Sequence, residues 1–310
     1  MQCPRLDHFV RLNPNGTVSR CGHMVDPPQF GSLFELENSE WLYNIKNKVK
    51  PVECRRCFET EYTNGTSIRL NAIRFHQVQT KPDYLSVGGV LDNICNSGCL
   101  TCNQDHSTKI GSLKSKTYPI VDNTNRFWQL PTHRIVHLDI NGGEPSASKN
   151  YRDVLKNLPS SIQSVRINTN CSLIIDEIEI LIDRGVKVTV TVSLDGIEEV
   201  HDFVRWPIKW DKFYANLMFY QNLKQIDLNT WTTISALNLH NFTAIKKFVT
   251  DNQINHSYAF LHSPDVLSVR YCNKLTVPYK NLFPGIVAVD SNNQNELDDY
   301  LDREKALRKL

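Results

Sequence analysis

Between residues 84 and 261 the chain alternates short apolar runs with helix-patterned stretches, and this alternation limits the possible folds more than any other feature. Six runs read as strands, at 84–91, 134–140, 164–168, 186–194, 230–236 and 257–261. The fourth, Val-Lys-Val-Thr-Val-Thr-Val-Ser-Leu, is dominated by β-branched residues that suit a pleated surface. Helical patterns fill intervals at 150–158, 174–184, 210–224 and 241–253. Such alternation implies a parallel sheet with helices packed outside it. Six units of this kind predict an α/β fold, a partial (β/α)6 TIM-like barrel, whose chemistry gathers where strands end and loops begin.

The ends of the first four strands carry polar motifs. After the first come Cys95, Cys99 and Cys102, in Cys-Asn-Ser-Gly-Cys-Leu-Thr-Cys. After the second comes Gly142-Gly143-Glu144-Pro145, after the third Asn168-Thr169-Asn170-Cys171, and after the fourth Ser193-Leu194-Asp195-Gly196. Zinc sites usually take cysteines in pairs to close a tetrahedron. Three thiols in one tight loop suit an iron–sulfur cube held at three corners, with the fourth iron open to another ligand. A zinc loop and a set of reduced structural thiols are the competing readings.

The Cys-x3-Cys-x2-Cys spacing resembles the signature loop of the radical S-adenosylmethionine (SAM) enzymes. The resemblance implies a SAM-binding 4Fe-4S cluster on Cys95, Cys99 and Cys102, reductive cleavage of SAM, and hydrogen abstraction from a substrate by the 5′-deoxyadenosyl radical. Gly142, Gly143 and Glu144 are similar to the family's Gly-Gly-Glu-Pro motif. There the glycines let backbone approach a ligand, and the carboxylate can accept from the ammonium of SAM. Ser193 and Arg205 match positions that serve the SAM carboxylate, and a planar guanidinium suits that group. Asn168 and Asn170 stand where relatives contact the ribose, and Thr232, Thr233 and Ser235 are candidates for the adenine edge. Each has an ordinary alternative: a strand-to-helix turn for Glu144, a surface cation for Arg205, turn asparagines and strand threonines.

Two positions depart from the family pattern. The residue before the third cysteine is commonly aromatic, and here it is Thr101. The third-strand motif often ends in glycine, and here that position is Cys171, a candidate hydrogen donor to a substrate radical or a small buried residue. Cys272, after the sixth strand, is a weaker candidate of the same kind. His106, just past the cysteine loop, reads as a surface histidine.

Residues 1–68 look different. They carry turn signals and four cysteines, Cys3, Cys21, Cys54 and Cys57, and lack strand–helix alternation. The spacing around Gly16, Trp41, Glu61, Gly65, Ser67 and Arg69 resembles a SPASM or twitch module. This implies an auxiliary 4Fe-4S cluster on the four thiols, with zinc as the alternative. Such modules usually follow the barrel, whereas this one precedes it. The expected organisation is therefore a cysteine-rich module at 1–68, a linker at 69–83, a barrel at 84–265 and an extension at 266–310 ending in a charged helix.

A formal charge of +2 gives no field for nucleic acid or membrane. No basic, then apolar, leader opens the chain, and no run is long enough to span a bilayer. Nine cysteines in such a setting point to reduced thiols or metal ligands, and to cytoplasm. The resemblance thus implies a radical enzyme acting on a peptide or protein, supplied with electrons by a donor such as flavodoxin or ferredoxin. The alternatives are a dehydrogenase or epimerase of a small polar metabolite and, from another class, a zinc-stabilised binding protein with an inactive barrel.

Overall fold

A computed structural model describes residues 3–261, 263–269 and 294–309. Eight strands form one sheet: β1 (Phe9–Leu12), β2 (Val18–Ser19), β3 (Leu85–Val90), β4 (Ile135–Asn141), β5 (Ser164–Thr169), β6 (Lys187–Ser193), β7 (Ile226–Ile234) and β8 (Asn255–Phe260). Their spatial order is β2-β1-β3-β4-β5-β6-β7-β8. All neighbours run parallel except β1 and β2. The sheet has two edges, at β2 and β8, and stands open among the described residues.

The six expected strands are β3 to β8. The main shift is at β7, which starts at Ile226 because the run Ile226-Asp227-Leu228-Asn229 already pairs with β6. The two further strands come from the N-terminal segment: β1 lies alongside β3, with Phe9 opposite Ser86 and Leu12 opposite Gly89. Gly89 has φ +101°, and a Cβ there would stand 2.2 Å from the Leu12 carbonyl oxygen. Only glycine lets the two backbones meet at that point.

The period of two along the strands divides the sheet into unlike faces. Leu138 and Ile140, Val165 and Ile167, and Val188, Val190 and Val192 are buried beneath the helices and form the main core. The opposite face carries Ser86, His137, Asp139, Arg166, Asn168, Thr191 and Ser193. Aliphatic burial therefore holds the helices to one side and leaves a polar concave side for ligands.

The covering helices begin in the N-terminal segment with α1 (Arg5–His8), α2 (Leu33–Glu37), α3 (Glu40–Lys46), α4 (Arg55–Asn64) and α5 (Ile68–Gln77). They continue with α6 (Thr108–Lys114), α7 (Thr124–Gln129), α8 (Lys149–Lys156), α9 (Glu177–Asp183), α10 (Glu199–Val204), α11 (Trp210–Asn222) and α12 (Phe242–Asp251). A C-terminal helix spans Gln294–Arg308. The stretch read as a linker thus carries α5, started by Ser67, whose hydroxyl accepts from the Leu70 N–H at 3.0 Å. Cys272 lies outside the described residues.

Candidate functional site

The loop after β3 is fixed at several points. Asp92, fully buried, accepts from the Ile94 N–H at 3.0 Å and from the Ser148 hydroxyl. Ser148 also caps α8, so one residue joins the cysteine loop to the Gly142-Gly143 turn. Ser107 caps α6 and donates to the Ser97 carbonyl at 2.8 Å. From the far side, the Gly98 N–H donates to the Trp206 carbonyl at 2.7 Å and the Leu100 N–H to the Val204 carbonyl at 3.0 Å. Arg308 of the C-terminal helix, almost fully buried, places Nε and Nη2 at 3.0 and 2.8 Å from the Gly98 carbonyl oxygen.

This loop brings Cys95, Cys99 and Cys102 to the wall of a cavity of about 260 Å³ at the carboxyl ends of the strands. Gly142, Gly143, Glu144, Asn168, Asn170, Ser193 and Arg205 line the same cavity. Four loops separated in sequence therefore converge on one space. Gly142 and Gly143 have φ of +85° and +64°. A Cβ on Gly143 would press within 2.8 Å of Asp92 Oδ1 and the Ile94 carbonyl oxygen, so the turn needs glycine.

Glu144 is buried and its carboxylate is already engaged. Oε1 accepts from the Ser146 N–H at 3.1 Å, the Ser146 hydroxyl at 2.7 Å and the Thr169 hydroxyl at 2.7 Å. Oε2 accepts from the Asn170 N–H at 2.6 Å. Burial pushes its pKa above the ordinary carboxylate value, against the pull of these donors. In this arrangement Glu144 ties the β4 loop to the β5 loop. Asn170 continues the tie, donating to Asn96 Oδ1 at 2.9 Å and Ser97 Oγ at 3.1 Å.

Arg205 pairs with buried Asp195 at 2.7 Å, and its Nη1 lies 3.5 Å from Cys99 Sγ. Burial works against the guanidinium charge, but the Asp195 carboxylate beside it outweighs this and holds the group protonated. Asp195 Oδ1 in turn accepts from the Thr233 N–H at 2.7 Å.

Not every residue singled out from the sequence reaches the cavity. Cys171 is fully buried among the core aliphatics, with Sγ 3.9 Å from the Phe213 carbonyl oxygen, and is not part of the lining. Its φ of +61° is the left-handed conformation that glycine adopts most easily. Thr233 lines the cavity, whereas Thr232 turns away to the Leu194 carbonyl and Ser235 to Asn238. Thr101 and His106 also line it, as do Ser97, Ser107 and Thr169. The last three gave no sequence signal beyond their place beside the motifs.

The donor set suits a cluster. Burial pushes Cys95 up to about 11 and Cys102 to about 12, so they are neutral thiols until a metal centre replaces their protons. The Ser97 N–H, 3.4 Å from Cys95 Sγ, and the Arg205 guanidinium offer N–H groups to sulfur. Hydrogen bonds of this kind tune cluster thiolates.

In the N-terminal segment, Cys21 packs in a small core with Cys3 and Cys54, and Cys57 lies one turn beyond Cys54 in α4, so the four thiols share one neighbourhood. Burial raises Cys3 to about 12 and Cys54 to about 11. Cys21 Sγ takes the His23 N–H at 3.4 Å and Arg5 Nη1 at 3.5 Å. Arg69 packs beside them, held to Glu61 through Nε at 2.9 Å, and the Ser67 hydroxyl donates to the same carboxylate. Among the described residues, no three His, Cys, Asp or Glu side chains are placed as a single bound ion requires.

Fold and site together define a class: an open, mostly parallel α/β sheet with a thiol-lined cavity at its carboxyl edge. No family model matches the chain, and no curated protein matches its sequence. Among solved structures it is similar to Streptococcus suis SuiB bound to S-adenosylmethionine, at 13% identity and a TM-score of 0.45, covering 98% of this chain and 70% of that one. SuiB bound to the precursor peptide SuiA gives 14% and 0.44, covering 100% and 71%. A further SuiB structure gives 14% and 0.40, covering 89% and 57%. At these values the likeness decides nothing about chemistry, which rests on the residues described above.

Proposed function

We propose that this chain is a radical SAM enzyme that modifies a peptide or protein. One observation carries the reading. Three cysteines, two glycines, a glutamate, two asparagines, a serine and an arginine, chosen from the sequence for one task, line a single cavity. In this reading Cys95, Cys99 and Cys102 hold a 4Fe-4S cluster, and Ser193, Asn168 and Arg205 offer polar contacts to SAM. When bound, such a cluster would supply the electron for reductive cleavage of SAM and so the means of abstracting hydrogen from the substrate. Glu144 and Asp92 keep the surrounding loops in register, and Arg205 holds positive charge beside Cys99.

Cys3, Cys21, Cys54 and Cys57 would hold an auxiliary 4Fe-4S cluster, an assignment supported by their shared neighbourhood and by the N–H groups aimed at Cys21. A peptide substrate is favoured over a small metabolite by a second cavity on the same face of the sheet, lined by Ser86, His137, Asp139 and Arg166, which adds space beside the thiol-lined one. Residues 1–68 act as the auxiliary module and 84–265 as the barrel.

Anaerobic reconstitution with iron and sulfide, followed by SAM and dithionite, tests this directly. 5′-Deoxyadenosine well above a Cys95→Ala control is the expected result; equal amounts from both proteins would sink the reading. Colourless protein carrying one zinc and no iron would favour a zinc-stabilised binding protein instead.

A further inference from the structure

A second cavity, of about 280 Å³, lies lower on the same concave face, between the sheet and the N-terminal segment. Phe9, Phe75 and Tyr84 give it an aromatic side, and Ser86, His137 and Asp139 of the sheet a polar one. The Phe75 and Tyr84 ring centres are 5.9 Å apart, and the Phe9 ring reaches Gly88, where a Cβ would meet its Cζ at 2.6 Å. Two cations, Arg5 and Arg166, face this lining. His137 beside them is neutral at pH 7, because burial lowers it to about 4.

Arg166 is the cation whose N–H donors are unused. It sits opposite Asp139 across the β4–β5 pair, and its Nη1 is 3.9 Å from Asp139 Oδ2, too far for a hydrogen bond. Its guanidinium makes no hydrogen bond among the described residues and is half exposed. Asp139, which lines the same cavity, therefore offsets part of the charge of Arg166 without using up its donors, and Arg5 adds a second positive charge to the lining. A guanidinium with free N–H groups beside the rings of Phe9, Phe75 and Tyr84 matches a carboxylate carried on an apolar body.

Position adds a second reason. Two residues further along the same strands, Asn168 donates to Asn141 Oδ1, and Asn168 lines the upper, thiol-bearing cavity. One step of two residues is about 6.6 Å along a strand, so the two cavities are neighbours. On its other side the lower cavity meets Arg5, whose Nη1 reaches Cys21 Sγ and whose guanidinium stacks on Phe9 at 3.9 Å. The space thus lies between the two sets of thiols.

We propose that the lower cavity is a carboxylate-binding subsite. Arg166 takes the charged end of the occupant, and Phe9, Phe75 and Tyr84 take its apolar body. Calling that occupant the substrate rests on the radical SAM reading; the binding itself does not. Calorimetric titration of the full chain with three probes tests it. N-acetyl-L-phenylalanine offers a terminal carboxylate, N-acetyl-L-glutamate α-amide a side-chain carboxylate, and N-acetyl-L-phenylalaninamide neither.

At least one carboxylate should bind tenfold or more tightly than the neutral amide. Which one binds identifies a chain terminus or an acidic side chain as the source. Arg166→Gln should weaken that binding at least tenfold and leave thermal unfolding unchanged, and Arg166→Lys should restore part of it. Equal binding of the amide, no binding by any probe, or indifference to Arg166→Gln overturns the subsite. Carboxylate binding without 5′-deoxyadenosine formation overturns the radical reading and leaves the subsite standing; the reverse result does the opposite.

Discussion

Asp92 shows how much one buried carboxyl can govern. Burial pushes its pKa up to about 6 from an ordinary 3.8, against the donors from Ser148 and Ile94. A carboxyl whose folded value is raised contributes stability in its protonated form. That contribution is complete below pH 4 and is lost as pH rises through 6. The linked change is on the order of 3 kcal/mol at most. Asp92→Asn should therefore remove a decline in stability between pH 4 and 6.5, read as the difference between mutant and wild-type urea midpoints across that range. A difference that does not vary with pH would mean that Asp92 is charged throughout. The sequence offered no hint of this residue, because its importance comes from Ser148 and Gly143, more than fifty positions away. Glu144 was legible from its motif, but its four donors were not, since two of them, from Thr169 and Asn170, belong to a loop that only the fold brings near.

At the scale of elements, the central strands could be read closely because burial on one face imposes alternation that composition cannot hide. The short helices α1 to α7 were harder to see. They owe their existence to caps such as Ser39, Ser67 and Ser107 and to packing, not to long periodic patterns. The C-terminal helix was visible as a helix, but its grip on the cysteine loop was not. Arg308 reaches Gly98 across 210 positions, and buried Glu304 balances its charge while Lys114 pairs with the other oxygen of that carboxylate. Arg308→Ala leaves the Gly98 carbonyl unpaired, a loss of roughly 1.5–3 kcal/mol for a bond to a charged donor. In iron-free protein, Cys99 should then react with iodoacetamide about tenfold or more faster, while Cys171 in the core stays protected. Unchanged Cys99 reactivity by peptide mass spectrometry would show that the other anchors hold the loop without Arg308.

For the whole molecule, the two groups of thiols lie at opposite ends of one chain of contacts. A centre bound at either would stabilise the folded state by mass action. Full iron loading should raise the anaerobic melting temperature by on the order of 10 °C for a chain of this size. Replacing Cys3, Cys21, Cys54 and Cys57 by alanine should remove part of that gain, and replacing the other three thiols the rest. A melting curve indifferent to iron would argue against metal at both places. No helix among the described residues is long and apolar enough to cross a membrane.

The pairing of β1 with β3 bears on any attempt to study the larger part alone. Removing the first 68 residues would strip β3 of its neighbour and leave a row of N–H and C=O groups from Leu85 to Val90 facing water. Such a border recruits other strands. A shortened chain would clump, whatever the state of its cysteines, and a size-exclusion trace dominated by the void volume would report a lost seam rather than a lost cofactor.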